Sequence, residues 1–461
     1  MSSEKKEECG VIGIVSKKGS NIATALHNGL IALQHRGQDA AGMAILCPDG
    51  KIEERRGLGL VHEIFKKEDL EITGSIGIGH TRYPTTGRCD QCDVQPSICN
   101  GIAVAHNGHI ANYEVLKKRF ADMGRNFTST VDAEPIAMLL DEKRGSGVES
   151  AVAHVMELLD GSYSDVAIFE SKLLVFRDPH AIRPLCWGEN EEFIIFASES
   201  VVLDINKVPY KGEINGGEMV LINNGKIERK IISGKEPRHC MFEHVYFSRP
   251  DSMVNGKLVY QSRKNLGEQL AKEHPVDADV VISVPDSARQ AARAFAETLN
   301  LPVEEGLIKN RYVGRTFIMP NQTTRKHSVR LKLNPVRGII DGKRVAVVDD
   351  SIVRGTTLKE IVKLVREAGA LEVHLRITCP PIKAPCFYGV DMSTYEELIA
   401  NKKTVDEIAK DLDVDSLGYL SIEGLKKALG IPICTGCLNE EYITKYAKKL
   451  ANEKKETRGC G

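Results

Sequence analysis

The sequence predicts a two-domain protein, with an α+β domain of sheets packed by helices followed by an α/β domain on a parallel sheet. Three observations carry this prediction. The chain has 461 residues, enough for two or three domains at ~100–200 residues each. Its first half alternates short β-type runs with glycine-rich turns, as in Val11-Ile12-Gly13-Ile14-Val15, Ile76-Gly77-Ile78-Gly79 and Phe193-Ile194-Ile195-Phe196-Ala197, with a helical pattern from Ile22 to Leu33. Beyond a turn-rich, charged stretch from Asn223 to Arg238, apolar runs of four or five residues each lead into a helix.

The helices and strands of the second half follow in order. Val280-Val281-Ile282-Ser283-Val284 runs into an alanine-rich helix over 288–299, and Val345-Ala346-Val347-Val348 into a helix over 358–368. The second helix carries Thr357 and Glu360 at capping-box spacing, an apolar stripe of Leu358, Ile361, Val362 and Val365, and Gly369 at its end. A domain boundary is therefore drawn near residue 235, and only the two ends, 1–8 and about 450–461, read as disordered.

Composition excludes several classes of function. With 62 Lys+Arg against 63 Asp+Glu the chain is no polycation for nucleic acid or membrane. The charged start from Met1 to Glu8 lacks the apolar core of a secretory signal, and no run approaches the ~20 apolar residues of a membrane span, so a cytosolic protein is expected. Twelve cysteines are too few for a disulfide scaffold of this length and become candidates for catalysis or metal binding.

The segment Val347-Val348-Asp349-Asp350-Ser351-Ile352-Val353-Arg354-Gly355-Thr356-Thr357 puts two carboxylates at a strand end, then a small hydroxyl-rich loop entering a helix. A phosphate there gains backbone N–H donors and the positive end of the helix dipole. The acids suit ribose hydroxyls or, directly or through water, a magnesium ion neutralising a pyrophosphate. A Walker-type loop is absent. Residues 306–340 hold no Asp or Glu but eight basic residues, Lys309, Arg311, Arg315, Arg325, Lys326, Arg330, Lys332 and Arg337. Broken by glycine and Pro320, with only Tyr312 and Phe317 as aromatics, this stretch reads as a lid closing over a polyphosphate rather than a nucleic-acid surface.

The acidic loop resembles the phosphoribosylpyrophosphate (PRPP) loop of type I phosphoribosyltransferases. Together with Lys309-Asn310-Arg311-Tyr312-Val313-Gly314-Arg315-Thr316-Phe317-Ile318 it is similar to the glutamine PRPP amidotransferase family, and the resemblance runs from Cys9 to about residue 445. It implies an N-terminal-nucleophile glutaminase (an αββα sandwich) over 9–235, a type I phosphoribosyltransferase domain over 236–461, and a propeptide, 1–8. The implied reaction turns glutamine, PRPP and water into glutamate, pyrophosphate and 5-phosphoribosylamine, the first step of purine synthesis.

Cys9-Gly10-Val11-Ile12-Gly13-Ile14 matches the start of the family's mature glutaminase domain. A terminal α-amine titrates near ~7.7–8.0 and can take a thiol proton at neutral pH, whereas an internal amide cannot. Cys9 must therefore become the first residue. The supporting motifs are Gln34-His35-Arg36-Gly37-Gln38-Asp39-Ala40-Ala41-Gly42, His80-Thr81-Arg82-Tyr83-Pro84-Thr85-Thr86-Gly87, His106-Asn107-Gly108 and Ser129-Thr130-Val131-Asp132. By resemblance Arg82 and Asp132 hold the α-carboxylate and α-amine of glutamine, while the Asn107 side chain and the Gly108 N–H form the oxyanion hole. The resemblance likewise puts Ser287, Asp349 and Asp350 at magnesium and Ser351, Ile352, Val353, Arg354, Gly355, Thr356 and Thr357 around the 5-phosphate. Lys309 and Arg311 join them as PRPP-binding residues.

Cys434-Thr435-Gly436-Cys437 alone is ambiguous between zinc, redox chemistry and no role. In the family's propeptide-bearing subgroup such a pair joins two distant cysteines around a [4Fe–4S] cluster, and Cys240 and Cys386 fall where those belong; four thiolates also suit zinc. The extra pair Cys89 and Cys92, with Cys99 nearby, departs from the family's pattern; it could bind a second metal but, with no obvious fourth ligand, reads as surface thiols. The resemblance further implies purine nucleotide inhibitors and a homo-oligomer, a tetramer. Two rivals are a PRPP-sensing regulator without turnover, which would need no nucleophile at Cys9, and another amidotransferase such as a hexosamine synthase, whose acceptor the transferase loop does not suit.

Overall fold

The computed structural model describes residues 9–83, 90–311, 330–392 and 394–456. The expected propeptide, the segment from Pro84 to Cys89 and most of the basic stretch, including Tyr312, Arg315, Phe317, Arg325 and Lys326, lie outside them.

Among the described residues thirteen strands build the first domain. They are β1 (Gly10–Ser16), β2 (Ala40–Leu46), β3 (Ile52–Leu58), β4 (Ile76–Arg82), β5 (Ser97–Cys99), β6 (Ile102–Ile110), β7 (Gly161–Phe169), β8 (Lys172–Arg177), β9 (Cys186–Glu189), β10 (Phe193–Ala197), β11 (Tyr210–Glu213), β12 (Glu218–Asn223) and β13 (Lys226–Ile231). One sheet runs β11-β9-β10-β1-β4-β2-β3 and the other β13-β12-β8-β7-β6-β5. Between their inner faces lie Val11, Ile78, Ala105, Val166, Val175 and Phe196. The helix Ile22–Ala32 covers the outer face of the first sheet, and Ala133–Glu142 and Val148–Leu158 cover that of the second. Helix, sheet, sheet, helix is the expected αββα order. The charged stretch after Asn223 does not stay irregular, because residues 226–231 add an edge strand whose charged side chains face solvent.

The second domain holds a parallel five-stranded sheet. The strand Val280–Ser283 is flanked by Val303–Glu304 and Arg344–Asp349, and Glu372–Ile377 and Ser416–Tyr419 follow. Helices Arg289–Leu299 and Thr356–Glu367 complete the two βα units read from the sequence. The expected capping box does not form. Gly355, at φ +79°, takes the N-cap position, so Thr357 lies inside the first turn and no side chain caps the helix. The carboxyl end is also more ordered than expected, since Lys445–Glu456 is helical. Ala447 and Ala451 are buried there, and the Tyr446 N–H donates to Asp160 Oδ2 at 3.0 Å. Among the described residues no helix is long and apolar enough to cross a membrane.

Candidate active site

Cys9 heads β1, buried, with its Sγ 3.5 Å from the Tyr83 carbonyl oxygen. Because β1 and β4 are antiparallel neighbours, with Gly10 opposite Thr81, Arg82 at the end of β4 lies beside the nucleophile's strand. Ser198 Oγ accepts the Val11 N–H at 3.0 Å and lies 3.3 Å from Asn107 Nδ2, tying β1 to Asn107 on β6 across the two sheets. Position 108 must be glycine: a Cβ there would meet the Ser162 carbonyl oxygen of β7 at 2.0 Å.

Asp132 precedes the helix Ala133–Glu142. Its Oδ2 accepts the Ile110 N–H at 2.8 Å and faces His109 Nδ1 at 3.5 Å, whereas its buried Oδ1 has no hydrogen-bond partner among the described residues. A buried carboxylate oxygen left unpartnered costs free energy that an ammonium ligand would recover. Glu134 fixes the approach to Asp132 by accepting the N–H and hydroxyl groups of Thr128 and Ser129. His106, fully buried, sits 2.7 Å from Asp165 Oδ1; burial disfavours its cation, but Asp165 overrides this and raises its pKa.

Asp165, Ser198, Glu199 and Glu243 reach this region without any sequence signal, because each arrives through a long-range contact. Glu199 is fully buried, which alone would raise its pKa, but His35 and Arg36 hold it down at about 2.

At the second site, parallel pairing of Ser283 with Val348 places the loop after one strand beside the end of the next. Ser287 Oγ and Ser351 Oγ both donate to the Asp350 carboxylate, the latter at 2.7 Å, and the Asp350 N–H donates to Asp349 Oδ1 at 2.8 Å. These are hard oxygen donors of the kind magnesium takes. Ile352 and Val353 bury their side chains in the core, so only their backbone is available to a ligand. Gly355, Thr356 and Thr357 start the helix Thr356–Glu367, whose first turn holds no acid. Arg354 pairs with Glu397, and Lys309 Nζ lies 3.0 Å from Asp286. Arg311 is exposed.

The structure also gathers the four cysteines. Cys240 and Cys434 are register partners in a two-stranded parallel ribbon, and Cys437 follows in the short helix Gly436–Asn439. The Cys437 carbonyl oxygen accepts the N–H groups of Lys383 and Ala384, each at 3.0 Å, which brings in Cys386. Burial pushes the Cys437 thiol up, and Cys386, Cys434, Cys379 and Cys240 push it further; burial and Cys386 raise Cys434 to about 12. Thiols that so oppose one another's ionisation suit a cationic centre. Cys379, fully buried beside them, was not singled out in the sequence. Among the described residues no three His, Cys, Asp or Glu side chains converge as one ion requires. Ten described cysteines are thiols rather than disulfides; Cys92 is exposed and Cys99 half-buried.

A buried strand-end cysteine tied to a buried asparagine, on a domain joined to one with an acidic, hydroxyl-rich strand-end loop, fits a glutamine amidotransferase fused to a phosphoribosyltransferase. Family models bear this out: a glutamine amidotransferase domain matches residues 84–204 and a phosphoribosyl transferase domain residues 253–417. The amidophosphoribosyltransferase of Methanothermobacter thermautotrophicus is 45% identical, covering 99% of each chain. That of Methanocaldococcus jannaschii is 46% identical over 96% of this chain and all (100%) of its own. The structure of glutamine PRPP amidotransferase from B. subtilis complexed with ADP and GMP superposes with a TM-score of 0.88 at 41% identity, covering 95% of this chain and 98% of that one. The chain belongs to the amidophosphoribosyltransferase family, whose enzymes carry out the first step of purine biosynthesis. A regulator without turnover and a hexosamine synthase are thereby set aside.

Proposed function

We propose that the reaction is divided between the two sites, with Cys9 releasing ammonia from glutamine and the residue 349–357 loop holding PRPP for its capture. The link from β1 through Ser198 Oγ to Asn107, which puts the nucleophile's strand beside an amide donor, carries this reading.

With residues 1–8 removed, Cys9 bears both a thiol and an α-amine, and the amine takes the thiol proton. Arg82 receives the α-carboxylate of glutamine and Asp132 Oδ1 its ammonium. The sulfur attacks the side-chain amide carbon, and the oxyanion that forms is met by Asn107 Nδ2 and the Gly108 N–H. The C–N bond then breaks, the departing nitrogen takes the proton from the amine, and water hydrolyses the glutamyl thioester to glutamate.

Ammonia attacks ribose C1 in the second site as pyrophosphate leaves. The 5-phosphate rests on the backbone of residues 351–355, the hydroxyls of Thr356 and Thr357 and the positive end of their helix. Lys309, released from Asp286, and Arg311 face the pyrophosphate, while Asp349 and Asp350 face the ribose. Ser287, Asp349 and Asp350 would hold Mg2+, which neutralises charge on the leaving pyrophosphate when bound.

Cys240, Cys386, Cys434 and Cys437 would hold a [4Fe–4S] cluster, supported by their mutual proximity. Membership of the propeptide and iron–sulfur subgroup goes with it. The relative bound to ADP and GMP supports purine nucleotides as inhibitors. A homo-oligomer, a tetramer, in the cytoplasm completes the reading.

The test is Cys9→Ser in the processed chain, which should lose glutamine-dependent synthesis and keep synthesis from added ammonia. Glutamine-dependent turnover near the wild-type rate would refute it.

A further inference from the structure

A buried charge cluster between the two domains takes no part in the steps above. Arg36, with no exposed side-chain surface, donates its Nε–H to the Cys9 carbonyl oxygen at 2.9 Å and an Nη1–H to Glu199 Oε1 at 2.7 Å. Both Nη groups reach Glu243, Nη1 to Oε2 and Nη2 to Oε1, each at 2.8 Å. Glu243 belongs to the helical turn Glu243–Phe247 of the second domain and is fully buried. Ser248 Oγ donates to its Oε2 at 2.6 Å, and Arg183 Nη1 lies 3.6 Å from its Oε1. Glu199 is braced from the same domain by the Arg249 N–H at 2.9 Å and Ser252 Oγ at 2.7 Å.

Stability alone is a weak reason for this arrangement. Desolvating such charges costs several kcal/mol per ion, and apolar residues of like volume often serve as well or better. What two-pronged pairing does supply is orientation, because it fixes the plane of the guanidinium. The third edge of that plane points at the carbonyl of the residue that must be both chain terminus and nucleophile. A terminal residue has no preceding peptide to hold it. The Arg36 bond to its carbonyl therefore helps set where its sulfur and amine lie, alongside the Sγ contact with the Tyr83 carbonyl oxygen.

We propose that Glu243 is a positioning residue for amide cleavage, supplied by the phosphoribosyltransferase domain: by clamping Arg36 it holds Cys9 in the attacking orientation. The glutamine site is then complete only with the second domain seated against it. This rests on Cys9 being the nucleophile.

The experiment uses processed, full-length enzyme. Glu243→Gln keeps the shape and one acceptor but loses the charge. Glutamine-dependent kcat should fall at least ~10-fold, in line with the cost of misplacing a reacting group, while the glutamine KM and ammonia-dependent turnover stay within ~2-fold. Glu243→Asp, charged but one methylene shorter, should recover part of the kcat, and alkylation of Cys9 by a diazoketone analogue of glutamine should slow in parallel with kcat. Equal loss of glutamine- and ammonia-dependent turnover would mean the cluster only holds the fold together, and an unchanged glutamine kcat would also overturn the proposal.

If Glu243→Gln does not fold, Ser248→Ala decides. It removes one brace and should lower glutamine-dependent kcat alone; no change would count against the clamp. Cys9→Ser, run in parallel, separates the two ideas, since glutamine turnover surviving in it defeats the nucleophile assignment itself.

Discussion

Replacing Asn107 by alanine removes one of the two donors assigned to the oxyanion. The structure separates its effect on the fold from its effect on the rate. Asn107 is buried and lies 3.3 Å from Ser198 Oγ, but that hydroxyl also accepts the Val11 N–H at 3.0 Å and so keeps a partner. The fold should therefore lose only about 1 kcal/mol. A donor aimed at a developing oxyanion in a water-poor site typically contributes ~2.7–4 kcal/mol to the barrier, or ~10²–10³ in kcat. Because that charge exists only near the transition state, the KM for glutamine should barely move. The assay is glutamate release at saturating PRPP, run beside pyrophosphate release from PRPP and ammonia. The expected result is a kcat at least ~100-fold lower for glutamine with the ammonia reaction intact. A glutamine kcat within ~5-fold of wild type would refute the placement of Asn107.

Intact-mass analysis of active enzyme should show a chain beginning at Cys9; full activity with Met1 to Glu8 attached would contradict the need for a free amine. Anaerobically purified protein should be brown with about four irons per chain, and Cys437→Ser should lose them, whereas a colourless protein with stoichiometric zinc would favour the other metal. PRPP should raise glutamine affinity in the wild type, and a tenfold effect would correspond to about 1.4 kcal/mol of coupling that glutamine returns equally to PRPP. Asp349→Asn should weaken the response; a glutamine KM indifferent to saturating PRPP in the wild type would mean the sites act independently.

The sequence revealed what local pattern encodes. Runs at residues 11–15, 76–79 and 193–197 became β1, β4 and β10, and the acidic loop after Val348 sits at the strand end its composition implied. Long-range pairings left no local trace. The register of Cys240 with Cys434 joins residues almost two hundred apart, and Glu199, Arg36 and Glu243 meet only through the packing of two domains. Two misreadings were local. Thr357 and Glu360 have capping-box spacing, but a glycine in the left-handed region takes the N-cap two residues earlier. The lysine- and glutamate-rich end reads as disordered because Ala447 and Ala451, its buried anchors, are too small to stand out in the sequence.

The most direct test of coupled chemistry at two sites is the stoichiometry of one reaction mixture. With processed enzyme, Mg2+, glutamine and PRPP, the account predicts glutamate and pyrophosphate appearing in equal amounts from the first turnovers, with little free ammonia. Glutamate and free ammonia accumulating together while pyrophosphate release lags would contradict it, because the ammonia would then be lost rather than captured at the residue 349–357 loop.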